Sequence, residues 1–196
     1  MNKQNIVIID YEAGNVQSVK YALERLGVSA EVSNCKETIR HADKVIFPGV
    51  GEAAWAMSAL KKNGLDKVIP QLKQPVLGIC LGMQLMCEKT EEGNAKGLGI
   101  FPIETLKFPA EDKVPHMGWN QIKQLKGKLF DGIEVESFVY FVHSFYVPVN
   151  KYSAAESHYI RSFSASLQKD NFYACQFHPE KSGDIGQQIL SNFIKL

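Results

Sequence analysis

Short β-rich runs, most of them largely apolar, alternate with helical periodicities through the first half of this 196-residue chain. The runs are IVII (6–9), VSAEV (28–32), KVIF (44–47) and VLGI (76–79). After the first, Val16, Val19, Leu23 and Leu26 fall on one helical face, and Gly27 is placed to stop the helix. A second helix is expected from about Glu52, and a third after Ile79, reaching about Thr90. Strands that are apolar at every position need cover on both faces. Alternation with helices supplies that cover and implies a parallel sheet. From Gly97 the pattern changes. SFVYFVHSFYVPV (137–149) and FYACQF (172–177) follow without long helices between them, so antiparallel additions to the sheet are expected, and DIGQQILSNFIKL closes the chain as a helix. The expected fold class is α/β, with a mixed, mostly parallel central sheet flanked by helices. No repeat, low-complexity tract or Pro/Gly/Ser linker divides residues 1–196, which read as a single domain.

Twenty-two basic residues balance 21 acidic ones, giving a formal net charge of +1, so no nucleic-acid partner and no membrane surface is implied. The first apolar run holds four residues, against the roughly 7–15 of a signal peptide, and no run nears the ~18 of a membrane span. A cytoplasmic location is expected. The cysteines are Cys35, Cys80, Cys87 and Cys175. None forms a C-x-x-C pair, and no spacing typical of zinc appears, so neither a disulfide framework nor a metal or other cofactor is expected.

Cys80 stands where the fourth strand meets a helix, in Gly78-Ile79-Cys80-Leu81-Gly82. That is the pattern of a nucleophile elbow with sulfur in place of oxygen. A sharp turn strains the nucleophile's backbone and leaves no room for neighbouring side chains, hence the glycines. The Leu81 N–H is a natural oxyanion donor. A small buried cysteine in a tight turn is the alternative, and only a base decides between them. QFHPEKS supplies one. His178 and Glu180 are two apart, so in an extended chain they share a face, and Pro179 favours extended angles at His178. Glu180 could fix the imidazole tautomer while the other nitrogen serves Cys80. Cys175 and Phe177, of opposite parity, should face the core. His143, inside an apolar strand, reads as structural or site-lining, and His41, His116 and His158 carry no spacing signal.

A second glycine motif, PGVGEAAW (48–55), also lies between a strand and a helix. Gly49, Gly51 and Ala54 fit the dinucleotide fingerprint G-x-G-x-x-A. It follows the third strand rather than the first, however, and the next strand lacks the acidic residue that would hold a ribose. A second oxyanion loop, with Val50 N–H facing the thiol, suits it better.

With PGVG, GICLGMQL and FHPE in that order, the whole chain resembles a class I glutamine amidotransferase domain. DYEAGNVQSV (10–19), PGVG itself, PHMGWN (115–120), FVHSFY (141–146) and HPEKS (178–182) resemble the branch formed by glutaminase subunits of imidazole glycerol phosphate synthase. The resemblance implies a triad of Cys80, His178 and Glu180 that hydrolyses L-glutamine. It also implies glutamine contacts at Gly49, Gly51, Gln84, Glu92 and the Ser144–Phe145 backbone. The ammonia would pass to a cyclase subunit in a heterodimer, for histidine biosynthesis. Asn15, Trp119 and Lys181 are expected on the strand-end rim where that partner docks. Ala53 and Phe145 depart from the aromatic residue and the tyrosine usual in the family. A paralogue feeding another acceptor, as in sugar modification, is the rival reading, and a standalone thiol hydrolase is the next. Because Gly49 and Gly51 flank Val50, rotation of its peptide planes is expected to let a partner gate the oxyanion site.

Overall fold

The computed structural model describes residues 4–12 and 15–196; Ala13 and Gly14, inside DYEAGNVQSV, lie outside the described residues. The first half follows the expected alternation. Strand β1 (Ile6–Ile9) leads to helix α1 (Val16–Arg25), β2 (Ala30–Ser33), a short α2 (Lys36–Arg40) and β3 (Lys44–Gly49). Then come α3 (Ala53–Lys62), α4 (Leu65–Val68), β4 (Val76–Cys80) and α5 (Leu81–Met86). Helix α1 buries Val19, Ala22 and Leu23 at the i, i+3, i+4 spacing of one face, and Gly27 at φ 73° ends it. Helix α3 is capped by Glu52, whose carboxylate accepts from the backbone N–H groups of Ala54 and Trp55 at 2.9 and 2.8 Å.

The third helix is shorter than its sequence suggested. It stops at Met86, and Cys87–Thr90 forms β5 instead. Strand β5 pairs with the two-residue β6 (Ala95–Lys96) on one side and β7 (Phe101–Lys107) on the other. Here pairing with a distant strand overrides local helical preference. Strands β8 (His116–Gln121) and β9 (Phe138–His143) then form a separate two-stranded sheet, and β10 (Phe145–Tyr146) joins the edge of β7. SFVYFVHSFYVPV therefore does not extend the central sheet. Strands β11 (Ser153–Tyr159) and β12 (Arg161–Lys169) do so, antiparallel. FYACQF also departs from expectation, because β13 (Phe172–Cys175) lies parallel to β4. The chain closes with α6 (Gly183–Lys195).

Among the described residues, the central sheet runs β11-β12-β13-β4-β3-β1-β2, parallel from β13 to β2 and antiparallel beyond. Strand parity splits its side chains into two cores. Val7, Ile9, Val45, Phe47 and Val76 pack under α2–α5. Ile6, Ile8, Ile46, Leu77 and Ile79 pack under α1, α6 and β9. That two-sided burial is why these strands read as continuous apolar runs. Each such side chain stabilises the fold by roughly 1.5–3 kcal/mol. The consequence for function is local. Three neighbouring parallel strands, β3, β4 and β13, end together, with Gly49 in register with Cys80 and Cys175 with Ile79. Such strand ends are where open α/β sheets gather their ligands.

Candidate active site

Cys80 closes β4 with φ 53° and ψ −110°, a left-handed conformation that costs a non-glycine residue of order 1–3 kcal/mol. The neighbours make room for it. A Cβ on Gly82 would overlap the Phe47 carbonyl oxygen, and one on Gly78 would lie 2.9 Å from Met86 Sδ and 3.1 Å from the Gly82 carbonyl carbon. The elbow is therefore pressed against β3 from one side and its own helix from the other. The Cys80 thiol, almost wholly buried, faces the Val142 carbonyl at 3.8 Å and accepts from Gln176 Nε2 at 3.7 Å.

His178 follows β13 in extended conformation, φ −98° and ψ 95°. Its N–H donates to Tyr140 O at 2.9 Å, and Ser182 Oγ donates to its carbonyl at 2.7 Å while accepting from Tyr140 N at 3.0 Å. Glu180 does not continue the extended chain as its parity suggested. Pro179–Lys181 turn as a single 3-10 helix, clamped by α6, where a Cβ on Gly186 would overlap the Pro179 carbonyl. The turn still brings Glu180 Oε1 to 2.8 Å from His178 Nδ1, with both side chains buried. Burial opposes a charge on His178, but Cys80 and Glu180 beside it outweigh burial and push its pKa up to about 10. His178 Nε2 has no partner in hydrogen-bonding geometry, so the nitrogen facing away from Glu180 is free to act. Cys175 and Phe177 point into the core, as their parity predicts.

These elements surround a cavity of about 310 Å³, within the small end of the roughly 300–1,000 Å³ typical of ligand pockets. Of the sequence-selected residues, Val50, Gly51, Cys80, Leu81, Gln84, Glu92, Ser144, Phe145 and His178 line it. Gly49 does not. It is packed behind the wall, where a Cβ would meet Gly82 N at 2.6 Å, Leu81 Cβ at 2.8 Å and Tyr11 Oη at 2.9 Å. Its φ is not positive, whereas that of Gly51 is 99°. Gly49 thus serves close approach, and rotational freedom beside Val50 is confined to Gly51. Asn15 sits at the start of α1, which packs against the Pro179–Lys181 turn, and Lys181 and Trp119 are exposed nearby, Trp119 lying 4.0 Å from where a Cβ on Gly183 would be.

Glu92 is half-buried, and one carboxylate oxygen accepts from Ala53 N at 3.0 Å. Burial raises its pKa, the Ala53 N–H partly offsets this, and the charge on Glu52 raises it further. A cationic group of a ligand would find a carboxylate here that gains from pairing. Gln84 donates to Phe145 O at 3.2 Å and to Gln176 Oε1 at 3.0 Å, which uses both its amide hydrogens and leaves only Oε1 for a ligand. Sequence reasoning missed Gln176 and also Tyr11, a buried phenol whose hydroxyl donates to Pro48 O at 2.9 Å and props the PGVG loop from below. Burial first, then the nearby Cys80, raises the Tyr11 pKa, so it remains a neutral donor. Both lie within stretches singled out in the sequence, Tyr11 in DYEAGNVQSV and Gln176 in QFHPEKS, but no local spacing marks either as reaching the site. Among the described residues no group of three or more His, Cys, Asp or Glu side chains could hold a metal, and no helix is long and apolar enough to cross a membrane.

The family model of class-I glutamine amidotransferases matches residues 7–196. The chain is 59% identical over 194 residues to the imidazole glycerol phosphate synthase subunit HisH of Bacteroides fragilis, covering 97% of this chain and 99% of that one. It is 58% identical, with the same coverage, to the protein of that name in Bacteroides thetaiotaomicron. Among solved structures, a putative GMP synthase protein from Thermoplasma acidophilum superposes with a TM-score of 0.77 at 21% identity, covering 100% of this chain and 94% of that one, a likeness of fold. Matched along nearly its whole length by the family model and by relatives of this similarity, the chain belongs to the class I glutamine amidotransferase family.

Proposed function

We propose that this chain is the glutaminase subunit of imidazole glycerol phosphate synthase, hydrolysing L-glutamine through Cys80, His178 and Glu180 and passing the ammonia to a cyclase subunit. The observation that carries the chemistry is the buried His178–Glu180 pair, whose free Nε2 shares one small cavity with the strained Cys80 elbow. The relatives' shared name favours a cyclase over other ammonia acceptors.

In the proposed reaction the Cys80 thiolate attacks the side-chain amide carbon, and the carbonyl oxygen becomes an oxyanion held by the Val50 and Leu81 N–H groups. His178, protonated well above neutral pH, gives its proton to the departing nitrogen, and ammonia leaves as the thioester forms. His178 then takes a proton from water, hydroxide adds to the thioester carbonyl, and the Cys80 thiolate departs to yield glutamate. Glu180 stabilises the imidazolium without giving up its own charge. Glu92 is placed to pair with the α-ammonium group of the substrate. Ammonia released into bulk water would be protonated and lose its nucleophilicity. A docked acceptor on the rim marked by Asn15, Trp119 and Lys181 prevents that loss.

Single-turnover reaction with isotopically labelled glutamine tests the assignment. The native chain should accumulate a labelled glutamyl thioester on Cys80, and Cys80→Ala should remain folded, form no adduct and show no turnover. Retained turnover in Cys80→Ala would sink the triad. In the presence of a cyclase and its nucleotide ligand, kcat should rise far more than KM falls; indifference to both would favour a standalone hydrolase.

A further inference from the structure

At the stretch of cavity wall formed by His143 lies a second histidine pair that the glutaminase chemistry leaves unused. His116 Nδ1 is 3.0 Å from His143 Nε2, and both rings are buried. His143 Nδ1 is 2.8 Å from Phe145 O, and His116 Nε2 is 3.3 Å from Asn120 Nδ2. The ends of this chain fix its direction. Asn120 Oδ1 accepts from Gln121 N at 2.8 Å, and Asn120 Nδ2 donates to His158 O at 2.9 Å, so it is the amide nitrogen that faces His116. His116 Nε2 must then accept, leaving the proton on Nδ1, which donates to His143 Nε2. His143 in turn carries its proton on Nδ1 and donates to Phe145 O. Only one set of tautomers satisfies every group, with both rings neutral. Burial agrees, drawing His116 down to about 4 and His143 to about 3.

The relay ends on substrate-facing backbone. Phe145 O accepts from His143 and, at 3.2 Å, from Gln84 Nε2, so both of its lone pairs are engaged. Ser144 O is held by Phe108 N at 3.0 Å. Gln84 continues to Gln176, and Gln176 to the Cys80 sulfur. We propose that His116 and His143 are positioning residues, whose one-way hydrogen-bond relay from Asn120 locks the Ser144–Phe145 backbone and the Gln84 amide into the geometry that receives glutamine. The proposal rests on the glutaminase reading. It differs from a packing role in that the donated proton matters, rather than the ring that stacks on Tyr159 at 4.2 Å and Phe141 at 5.1 Å.

His116→Phe separates the two, because it keeps a stacking ring and removes the donor. His143 Nε2 then faces no donor. Nδ1–H still meets Phe145 O, but the ring has lost the bond that fixes its far end, so the Phe145 backbone and the Gln84 amide are held less firmly. The full chain is treated with 6-diazo-5-oxo-L-norleucine, a glutamine analogue that must dock to alkylate Cys80, and separately with iodoacetamide, which need not dock. In His116→Phe, alkylation by the analogue should slow about tenfold, the worth of one good hydrogen bond, with the iodoacetamide rate unchanged. His116→Asn, whose Nδ2 can stand where ring Nδ1 stood, should recover most of the loss. Equal slowing with both reagents, no slowing with the analogue, or failure of His116→Asn to recover would each overturn the proposal. If His116→Phe does not fold, Asn120→Leu removes the outer anchor and should slow the analogue roughly two- to threefold, an unchanged rate again overturning it. A native chain that iodoacetamide alkylates and the analogue does not would overturn the glutaminase reading itself.

Discussion

His178 and His143 line the same cavity, are both almost wholly buried, and stand at opposite ends of the imidazole range. His178 is pushed up to about 10 and His143 drawn down to about 3. Burial acts on both in the same direction, against charge, so burial is not what separates them. The partners are. His178 has the Cys80 sulfur and a carboxylate beside it, the carboxylate 2.8 Å from Nδ1, while Nε2 makes no hydrogen bond. His143 has a backbone carbonyl on one nitrogen and a neutral imidazole on the other. A charged, half-satisfied ring can move protons, whereas a neutral, fully satisfied one can only hold its neighbours in place. Proximity to the thiol alone would not have told the two apart.

The largest effect expected from this contrast is on turnover. His178→Ala should lower kcat by roughly 10²–10⁴-fold, the usual worth of a positioned acid–base group. His143→Asn, which keeps a donor toward Phe145 O, should cost less than about tenfold and mainly through KM. Steady-state kinetics of the two variants side by side decide the matter, and comparable losses in kcat would erase the distinction between the two rings.

Glu180→Gln sharpens the same contrast by removing one of the two groups, Cys80 being the other, that raise the His178 pKa. The amide still fits, but it no longer stabilises an imidazolium, so kcat should fall with little change in KM, and by less than in His178→Ala. Damage equal to or greater than that of His178→Ala would mean that Glu180, rather than His178, carries the proton.

Legibility in the sequence followed the range of the interactions. Strands β1, β3 and β4 are readable because two-sided burial stamps each with a continuous apolar run, and the junction at Cys80 because glycine is required within two residues of it. Cys87–Thr90 is not readable as a strand, because its conformation is set by pairing with Phe101–Lys107. The β8–β9 pair forms its own layer for a similar reason, since a strand pattern does not say which sheet it joins. Tyr11 reaches Pro48 across 37 positions and Gln176 reaches Cys80 across 96, and no local spacing announces either. His116 lies within PHMGWN, yet nothing in that stretch assigns its ring a role. Its meaning appears only when β8 lies against β9 and sets its ring opposite His143.

The smallest expected effect is on stability, and there the two histidines should pull in opposite directions with pH. An unfolded chain titrates both near 6.5. For His143 the folded value, about 3, lies below that, so between them the unfolded chain binds a proton that the folded one refuses. Its contribution is intact above about 6.5 and is lost as pH falls, by at most about 1.4 kcal/mol per pH unit. For His178 the folded value, about 10, lies above, so the folded chain keeps a proton that the unfolded one releases. Its contribution is intact below about 6.5 and is lost as pH rises toward 10. Urea midpoints measured from about pH 4.5 to 9.5 for the native chain, His143→Asn and His178→Asn expose both, because taking differences cancels the background of ordinary carboxylates and lysines. The advantage of the native chain over His143→Asn should shrink on the acid side, and its advantage over His178→Asn on the alkaline side. Two differences that slope the same way would mean that one of these rings holds its proton where the other does, and that their partners do not set their charge.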